Sequence, residues 1–115
     1  MAKHMLLALT NPVEGSEDEY NDWYDNRHLA DVLQIPGFVA AQRFRLSPAQ
    51  KMEAPPWKYL AIYEIETDNL SEVIATLSAR SGTVLMPISD AMNPLREAPF
   101  YEPITARITL PTTGA

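Results

Sequence analysis

Hydrophobic residues recur along this chain with two different periods, and the change from one period to the other predicts the order of strands and helices. Residues 4–10 are apolar almost throughout, which is typical of a strand buried on both faces. Residues 38–46 and 58–66 alternate between two faces, as expected for strands. In residues 38–46 this alternation places Phe38 and Gln42 on the same face of the sheet.

Two other segments have the spacing of amphipathic helices. Ser16 and Glu19 form a capping-box pattern, which predicts a helix that begins at about Ser16. Asn69 and Glu72 repeat this pattern, and apolar residues follow Asn69 at intervals of three and four. Gly82 is a plausible end for this second helix.

The remaining segments are connections and one further strand. Residues 47–57 contain three prolines and predict a loop. Residues 83–97 lack a regular period, so they form either a lid over a pocket or a long connection. Residues 98–108 predict a last strand, which Pro103 restricts to a sheet edge or a bulge. We expect residues 111–115 to be a disordered tail.

The resulting order, β-α-β-β-α-β, predicts an α+β fold of the ferredoxin-like type, with an antiparallel sheet and two helices on one face. The first and third strands are then central and the second and fourth are edges. We expect residues 1–110 to form this one domain. Two helices cover one sheet face, and the other face also carries apolar residues, so we predict a homodimer through that sheet face.

The first helix concentrates the chemistry of the chain on its inward face. At about 100° per residue, this face carries Tyr20, Trp23, Tyr24, Arg27, His28 and Asp31. Leu29 and Leu33 would lie on the polar face of a straight helix, so we infer a break or kink close to His28. A break there would place His28 near a helix C-terminus, where the helix dipole favours imidazolium. We expect the dipole and the charge of Asp31 together to offset burial and leave the pKa of His28 near neutrality.

Composition narrows the possible functions. The net charge of −6 argues against binding to nucleic acid, which needs a basic patch. Without cysteine, disulfides and thiol catalysis are excluded. No apolar run is long enough to span a membrane and no signal peptide is visible, so we expect a cytoplasmic protein. Two distant histidines form no metal-ligand pattern, and four glycines form no phosphate loop, so we expect no metal and no cofactor.

His28 is the best candidate for a catalytic group because an imidazole both gives and takes protons near pH 7. Tyr24 lies one turn earlier, and Asp31 lies three residues later, where it could orient the ring. The alternative is a structural histidine that hydrogen-bonds to the backbone at a helix end. Arg27 and Asp31 form either a structural ion pair or an opening clamp for a substrate carboxylate.

Other aromatic and polar side chains could line a pocket for an aromatic or polyketide-like molecule. The predicted substrate-binding residues are Tyr20, Trp23, Arg27, Gln42, Tyr59 and Tyr63. The aromatic residues of the first helix could equally be part of the core. We assign Arg43 and Arg45, on an edge strand, to solvent or to a dimer contact.

Residues 11–46 read NPVEGSEDEYNDWYDNRHLADVLQIPGFVAAQRFRL. They resemble the EthD-like small proteins of the dimeric α+β-barrel superfamily in their acidic helix start, Trp-Tyr pair, following histidine and closing Pro-Gly-Phe. Members with this pattern often have proline two residues after the histidine, where this chain has Ala30. The resemblance implies a pocket between sheet and helices, lined by the first helix.

Known functions of this superfamily include polyketide cyclisation, lactone isomerisation, quinone-forming monooxygenation and haem degradation, so fold transfers better than function. The resemblance favours a catalytic over a structural His28. We therefore expect a cofactor-independent isomerase, cyclase or lyase that acts on a small molecule by proton transfer. The alternatives are a haem- or quinol-type monooxygenase and a non-catalytic ligand-binding or accessory protein.

Overall fold

A four-stranded antiparallel sheet with helices on one face forms the core of the protein in a computed structural model that describes residues 1–111. The strands are β1 (Lys3–Thr10), β2 (Phe38–Arg45), β3 (Tyr59–Glu66) and β4 (Phe100–Tyr101). The helices are α1 (Glu17–Trp23), a π-helical turn (Tyr24–His28), α2 (Leu29–Leu33) and α3 (Leu70–Arg80). The strand order β2-β3-β1-β4 confirms the ferredoxin-like fold, with the first and third strands central. The predicted tail lies outside the described residues from residue 112 onward.

The irregularity predicted near His28 is present, but it is a π-helical turn and not a break. The backbone N–H of Leu29 donates to the carbonyl of Tyr24, five residues earlier, and the backbone stays helical through Leu29. The extra residue in this turn rotates the following helix, so that Val32 is buried in the core. Because the helix continues to Leu33, His28 is not at a helix C-terminus, and the predicted effect of the dipole on its pKa is wrong.

Strand β2 also departs from its predicted pattern, because a β-bulge shifts its register between Phe38 and Ala40. Phe38 is buried and packs edge-on against Tyr63 on the helix side of the sheet. One extra residue reverses the alternation that follows. As a result Arg43 lies on the helix side and Gln42 is exposed on the other side, contrary to the predicted pairing of Phe38 with Gln42.

The last strand is shorter than predicted, since β4 pairs with β1 at Phe100 and Tyr101. The antiparallel register sets Tyr101 opposite Met5. Pro103 is therefore level with Lys3, where β1 begins, and a proline has no N–H to donate to a ladder. Regular pairing ends before Pro103, although the predicted edge position of this strand is confirmed.

The centre of the sheet face that lies away from the helices is apolar. The register pairs Leu7 with Ile62 and Leu9 with Leu60, and all four side chains point away from the cavity side of the sheet. Phe44, opposite Leu60, extends this outer face and is exposed. Over residues 1–111, no helix has the length and apolar character needed to cross a membrane.

Candidate active site

A cavity of about 600 Å³ lies between the sheet, the π-helical turn, α3 and the segment of residues 86–98. Its volume falls in the range of small-molecule sites. Of the predicted site residues, Tyr24, His28 and Tyr63 line it. Helix α3 contributes an apolar wall with Ile74 and Leu77, and the segment of residues 86–98 adds two charged residues, Arg96 and Glu97. The pocket implied by the family resemblance is therefore present, and the segment at 83–97 forms part of its wall.

The π-helical turn positions His28 between two aromatic rings. The imidazole stacks on the indole of Trp23, with ring centroids 4.5 Å apart and an interplanar angle of 28°. It meets the ring of Tyr24 edge-on, at 5.0 Å and 87°. Residues five apart lie on different faces of an α-helix, and the wider turn brings Trp23 and His28 together. The conformation of this turn therefore sets the position of the imidazole.

Burial makes His28 a neutral imidazole at physiological pH. Removal from water lowers its pKa to about 4, and the nearby carboxylate of Asp31 opposes this shift only in part. The predicted near-neutral pKa is therefore wrong, because burial outweighs the charge of Asp31. The Nδ1 atom of His28 is buried and has no hydrogen-bond partner within the described part of the chain.

Two tyrosines on the cavity wall are also held in their neutral forms. Burial raises the pKa of Tyr24 to about 12, and it raises the pKa of Tyr63 further. The hydroxyl of Tyr63 is buried and makes no hydrogen bond of good geometry among residues 1–111, although the hydroxyl of Tyr24 lies close enough to contribute to its raised pKa. An unsatisfied buried hydroxyl costs about 1–3 kcal/mol, so this group is one that a bound ligand would satisfy.

Arg27 and Asp31 pair with each other, and Asp31 is the more buried partner, with 16% of its side chain exposed. Arg27 Nε donates to Asp31 Oδ2 at 2.7 Å, and Arg27 Nη2 donates to the carbonyl oxygen of Val84 at 3.2 Å. Half of the Arg27 side chain is exposed. The structural ion pair is therefore the arrangement observed. The geometry gives Asp31 no hydrogen bond to His28 in the described chain, so the predicted orienting role of Asp31 is not supported.

Three other predicted contact residues surround the cavity without lining it. Tyr20 is fully buried and its hydroxyl hydrogen-bonds to that of Thr10. Tyr59 donates to the carboxylate of Glu17. The Trp23 indole N–H donates to the carbonyl oxygen of Pro87 at 3.1 Å, which joins α1 to the cavity wall. All three are positioned to support the site, and Gln42, on the outer face, is remote from it.

Arg43 is the functional candidate that the sequence analysis missed. Its guanidinium carbon lies over three tyrosine rings, at 4.4 Å from Tyr24, 5.2 Å from Tyr59 and 5.4 Å from Tyr20. Its Nη1 donates to Asp25 at 2.6 Å and its Nη2 to Asn21 at 2.9 Å. Arg43 thus ties α1 and the π-helical turn to β2. The bulge in β2 hid this role, because simple alternation put Arg43 on the opposite face from Phe38.

A second, more open cavity of about 540 Å³ lies beside the turn that precedes α1. Its polar side chains are already engaged, since Asn11 bonds to the backbone of Pro56 and Lys58. Lys58 also pairs with Glu17 at 3.4 Å. In addition, no group of three or more potential metal ligands occurs over residues 1–111. The cavity at His28 therefore has the stronger chemical case.

Comparison with known proteins gives one sequence relative. No family model matches the chain. A stretch of 65 residues is 34% identical to Core atranone cluster (CAC) protein 1 from Stachybotrys chlorohalonatus (strain IBT 40285). The match covers 54% of this chain and 26% of that protein, so the chain spans about a quarter of the length of this relative.

Three solved structures share the architecture. An EthD family protein from Bacillus halodurans C-125 has a TM-score of 0.59 at 13% identity, with 90% of this chain and 100% of that chain covered. The haem degrader MhuD from Mycobacterium tuberculosis, solved with two haems in its active site, has a TM-score of 0.59 at 16% identity over 89% and 96%. A candidate monooxygenase from Shewanella loihica PV-4 has a TM-score of 0.57 at 13% identity over 90% and 96%.

The chain has the fold of the EthD-like proteins. This confirms the resemblance predicted from residues 11–46 at the level of fold. Within this EthD-like fold, the cavity brings together one neutral imidazole and two neutral phenols. An imidazole of this kind accepts a proton, and phenols of this kind donate hydrogen bonds to a developing negative charge.

Proposed function

We propose that the protein is a cofactor-independent enzyme that moves a proton within a small molecule and so isomerises, cyclises or eliminates from it. The observation that carries this proposal is the shared cavity wall of His28 and Tyr63, both with buried polar atoms that lack partners in residues 1–111. A bound ligand would supply those partners. The apolar surroundings favour a ligand with an aromatic or polyketide-like body.

The proposed chemistry follows from the protonation states. Neutral His28 takes a proton from a carbon next to a carbonyl, and the C–H electron pair moves towards the carbonyl oxygen to give an enolate. Tyr24 and Tyr63 stay protonated and donate hydrogen bonds to that oxygen. The His28 imidazolium then returns its proton to another atom of the substrate, which restores the neutral enzyme.

The low pKa of His28 narrows the substrate class. An imidazole whose conjugate acid has a pKa of about 4 is a weak base and, once protonated, a strong acid. It would remove a proton readily from a carbon flanked by two carbonyls, as in a polyketide-like β-dicarbonyl.

We also propose that a second copy covers the apolar outer face of the sheet. Apolar pairs such as Leu7 with Ile62 are placed on that face, where the chain has no helix of its own in residues 1–111. Large exposed apolar patches mark interaction sites. A mass measurement by light scattering at micromolar concentration should give a dimer, and a monomer would contradict this. The cytoplasmic location and the single-domain boundary at residue 110 stay predictions.

Deuterium exchange tests the proposed reaction without knowledge of the product. The protein is incubated in D2O with a panel of aromatic and aliphatic β-dicarbonyl compounds, and NMR follows deuterium entry at the activated carbon. We expect faster exchange with the wild-type protein than with His28→Asn. Tyr63→Phe should also slow exchange while it keeps stability, since its hydroxyl lacks a partner. Ser78→Ala, on the same cavity wall, is the matched control and should exchange at the wild-type rate.

Two outcomes would contradict the proposal. Equal exchange by wild-type and His28→Asn protein across the panel, with ligand binding intact, would favour a non-catalytic ligand-binding protein. A Soret band after haem addition together with oxygen uptake would favour the monooxygenase.

A further inference from the structure

The wall of the cavity at His28 carries one arginine whose hydrogen-bond donors are almost unused. Arg96 is the single lysine or arginine among the lining residues of the described chain, and it is exposed, so it lies at the cavity mouth. Its one side-chain hydrogen bond over residues 1–111 runs from Nη1 to the carbonyl oxygen of Pro94, at 3.2 Å. A guanidinium carries several N–H donors and no acceptor. Most donors of Arg96 are therefore open to a ligand.

An arginine without an acidic partner is unexpected in this chain. Acidic residues outnumber lysine and arginine by 15 to 9. The two arginines that contact the first helical segment are both paired, Arg27 with Asp31 at 2.7 Å and Arg43 with Asp25 at 2.6 Å. Arg96 makes no ion pair over residues 1–111. Its positive charge at the cavity mouth is thus left without a neutralising group.

The backbone holds Arg96 on the cavity side of the sheet. Glu97 and Leu9 form an antiparallel bridge with two backbone hydrogen bonds, of 2.7 and 3.1 Å. The Leu9 side chain points to the outer face, so the side chain of its partner Glu97 does so too. Neighbouring residues of an extended segment face opposite sides. This alternation directs Arg96 to the cavity side and the carboxylate of Glu97 away from it.

Arg96 and the proposed catalytic groups lie at different ends of the cavity. Along β1, Leu6 is paired with Tyr63, and Leu9 is bridged to Glu97. Three residues of a strand span about 10 Å, so the backbone that carries Arg96 is at least about 10 Å further along the sheet than the backbone that carries Tyr63. A ligand that contacts both side chains must carry its anionic group at a distance from its reacting carbon.

We propose that Arg96 binds a carboxylate of the substrate at the cavity mouth, while the reacting carbon lies near His28 and Tyr63. The inference rests on the proposed function and narrows its substrate to an acid. A planar guanidinium matches a carboxylate through two parallel hydrogen bonds. A phosphate site usually adds a cluster of backbone N–H groups or a second cation, and no second lysine or arginine lines the cavity in residues 1–111. The substrate is then an aromatic or polyketide-like β-dicarbonyl with a remote carboxylate.

A matched pair of probes tests the carboxylate site by binding alone. The acid is 4-acetoacetylbenzoate, whose carboxylate lies across the ring from the dicarbonyl, and the neutral probe is its methyl ester. Calorimetry gives the Kd of each probe for wild-type, Arg96→Gln and Arg45→Gln proteins. We expect Arg96→Gln to weaken binding of the acid by about tenfold and that of the ester by less than about twofold.

Arg45→Gln is the control, because it removes the same charge from an exposed position outside the cavity. It should leave both values of Kd within about twofold of the wild type. Salt adds a second readout, since binding of the acid to wild-type and Arg45→Gln proteins should weaken as sodium chloride is added, and binding to Arg96→Gln should weaken much less. Equal losses for acid and ester in Arg96→Gln, equal losses for the two variants, or no binding of the acid to the wild type would each overturn the proposal.

Deuterium exchange separates this inference from the reaction itself. If Arg96→Gln discriminates the two probes in Kd but His28→Asn exchanges the acid as fast as the wild type, the carboxylate site is supported and the proposed reaction fails. If His28→Asn slows exchange of both probes but Arg96→Gln does not discriminate them in Kd, the proposed reaction is supported and the carboxylate site is overturned.

Discussion

The two helical segments on the sheet differ in regularity, and the irregular one carries His28 and Tyr24, the residues proposed for catalysis. Helix α3 is a plain amphipathic helix that begins at the Asn69 cap and gives the cavity an apolar wall. The first helical segment, Glu17–Leu33, is interrupted by the π-helical turn, which places Tyr24 and His28 on the wall of the same cavity. The comparison indicates that the local irregularity determines which side chains reach the cavity, whereas the regular helix contributes packing.

The largest expected difference between the two helical segments is the effect of their variants on the rate of deuterium exchange. His28→Asn, in the π-helical turn, should slow deuterium exchange by about 10²–10⁴, the usual contribution of a general acid or base. Asparagine keeps hydrogen bonding but transfers no proton. Ser78→Ala, in α3, removes a polar group from the same cavity and should leave the rate within a factor of about three. Similar losses in the two variants would mean that the cavity acts by shape and not through His28.

Acid should destabilise the protein through protonation of His28, in the first helical segment. The pKa of His28 is about 4 in the folded protein and near 6.5 in the unfolded chain, so the unfolded chain binds more protons between these values. Stability is therefore lost as the pH falls from 6.5 to 4, by up to about 3 kcal/mol.

Urea unfolding at pH 7 and pH 4.5 measures this loss. His28→Asn should lose less stability than the wild-type protein over the same interval, because other titrating groups are unchanged. Equal losses of stability in the wild-type and His28→Asn proteins would show that His28 is not shielded from water in solution as the structure places it.

Arg43 should contribute more to the free energy of unfolding than Arg45 does, because Arg43 connects the first helical segment to β2. Arg43→Met removes hydrogen bonds to Asp25 and Asn21 and the contact with the Tyr24 ring. Its partner Asp25 is largely exposed, which reduces the value of the ion pair, so we expect a loss of about 2 kcal/mol. Arg45→Met, at an exposed position, should change stability by less than about 0.5 kcal/mol. Equal losses would contradict the role assigned to Arg43.

The same contrast explains how far the sequence predicted the structure. Strand order and α3 follow from periodicity and a cap, and both were predicted correctly. Leu29 and Leu33 revealed that the first helix is irregular, but a one-residue offset alone does not distinguish a break from a π-helical turn. The bulge after Phe38 gave no comparable warning, so Arg43 was placed on the wrong face. Single-residue insertions of this kind decide which side chains meet, and they leave the overall pattern almost unchanged.

The burial of His28 was also underestimated, for a different reason. The sequence placed Asp31 within reach and suggested that its charge would balance desolvation. In the structure Asp31 hydrogen-bonds to Arg27 and not to His28, and the imidazole lies among aromatic rings. Pair spacing along a helix predicts which side chains are neighbours, but it does not predict how much water each retains.

The smallest expected difference is in the stability lost when the N-terminal residues of the two helical segments are replaced. Asn69 accepts a hydrogen bond from the backbone N–H of Glu72 at 3.2 Å, whereas the Ser16 side chain makes no capping bond within residues 1–111. Asn69→Ala should therefore cost about 1 kcal/mol, the usual value of an N-cap. Ser16→Ala should cost less than about 0.3 kcal/mol, since no side-chain bond is lost. Urea unfolding of both variants at pH 7 measures the difference. An equal loss of stability in Ser16→Ala and Asn69→Ala would show that the predicted capping box at Ser16 forms in solution. The first helical segment would then begin with a side-chain cap, as α3 does.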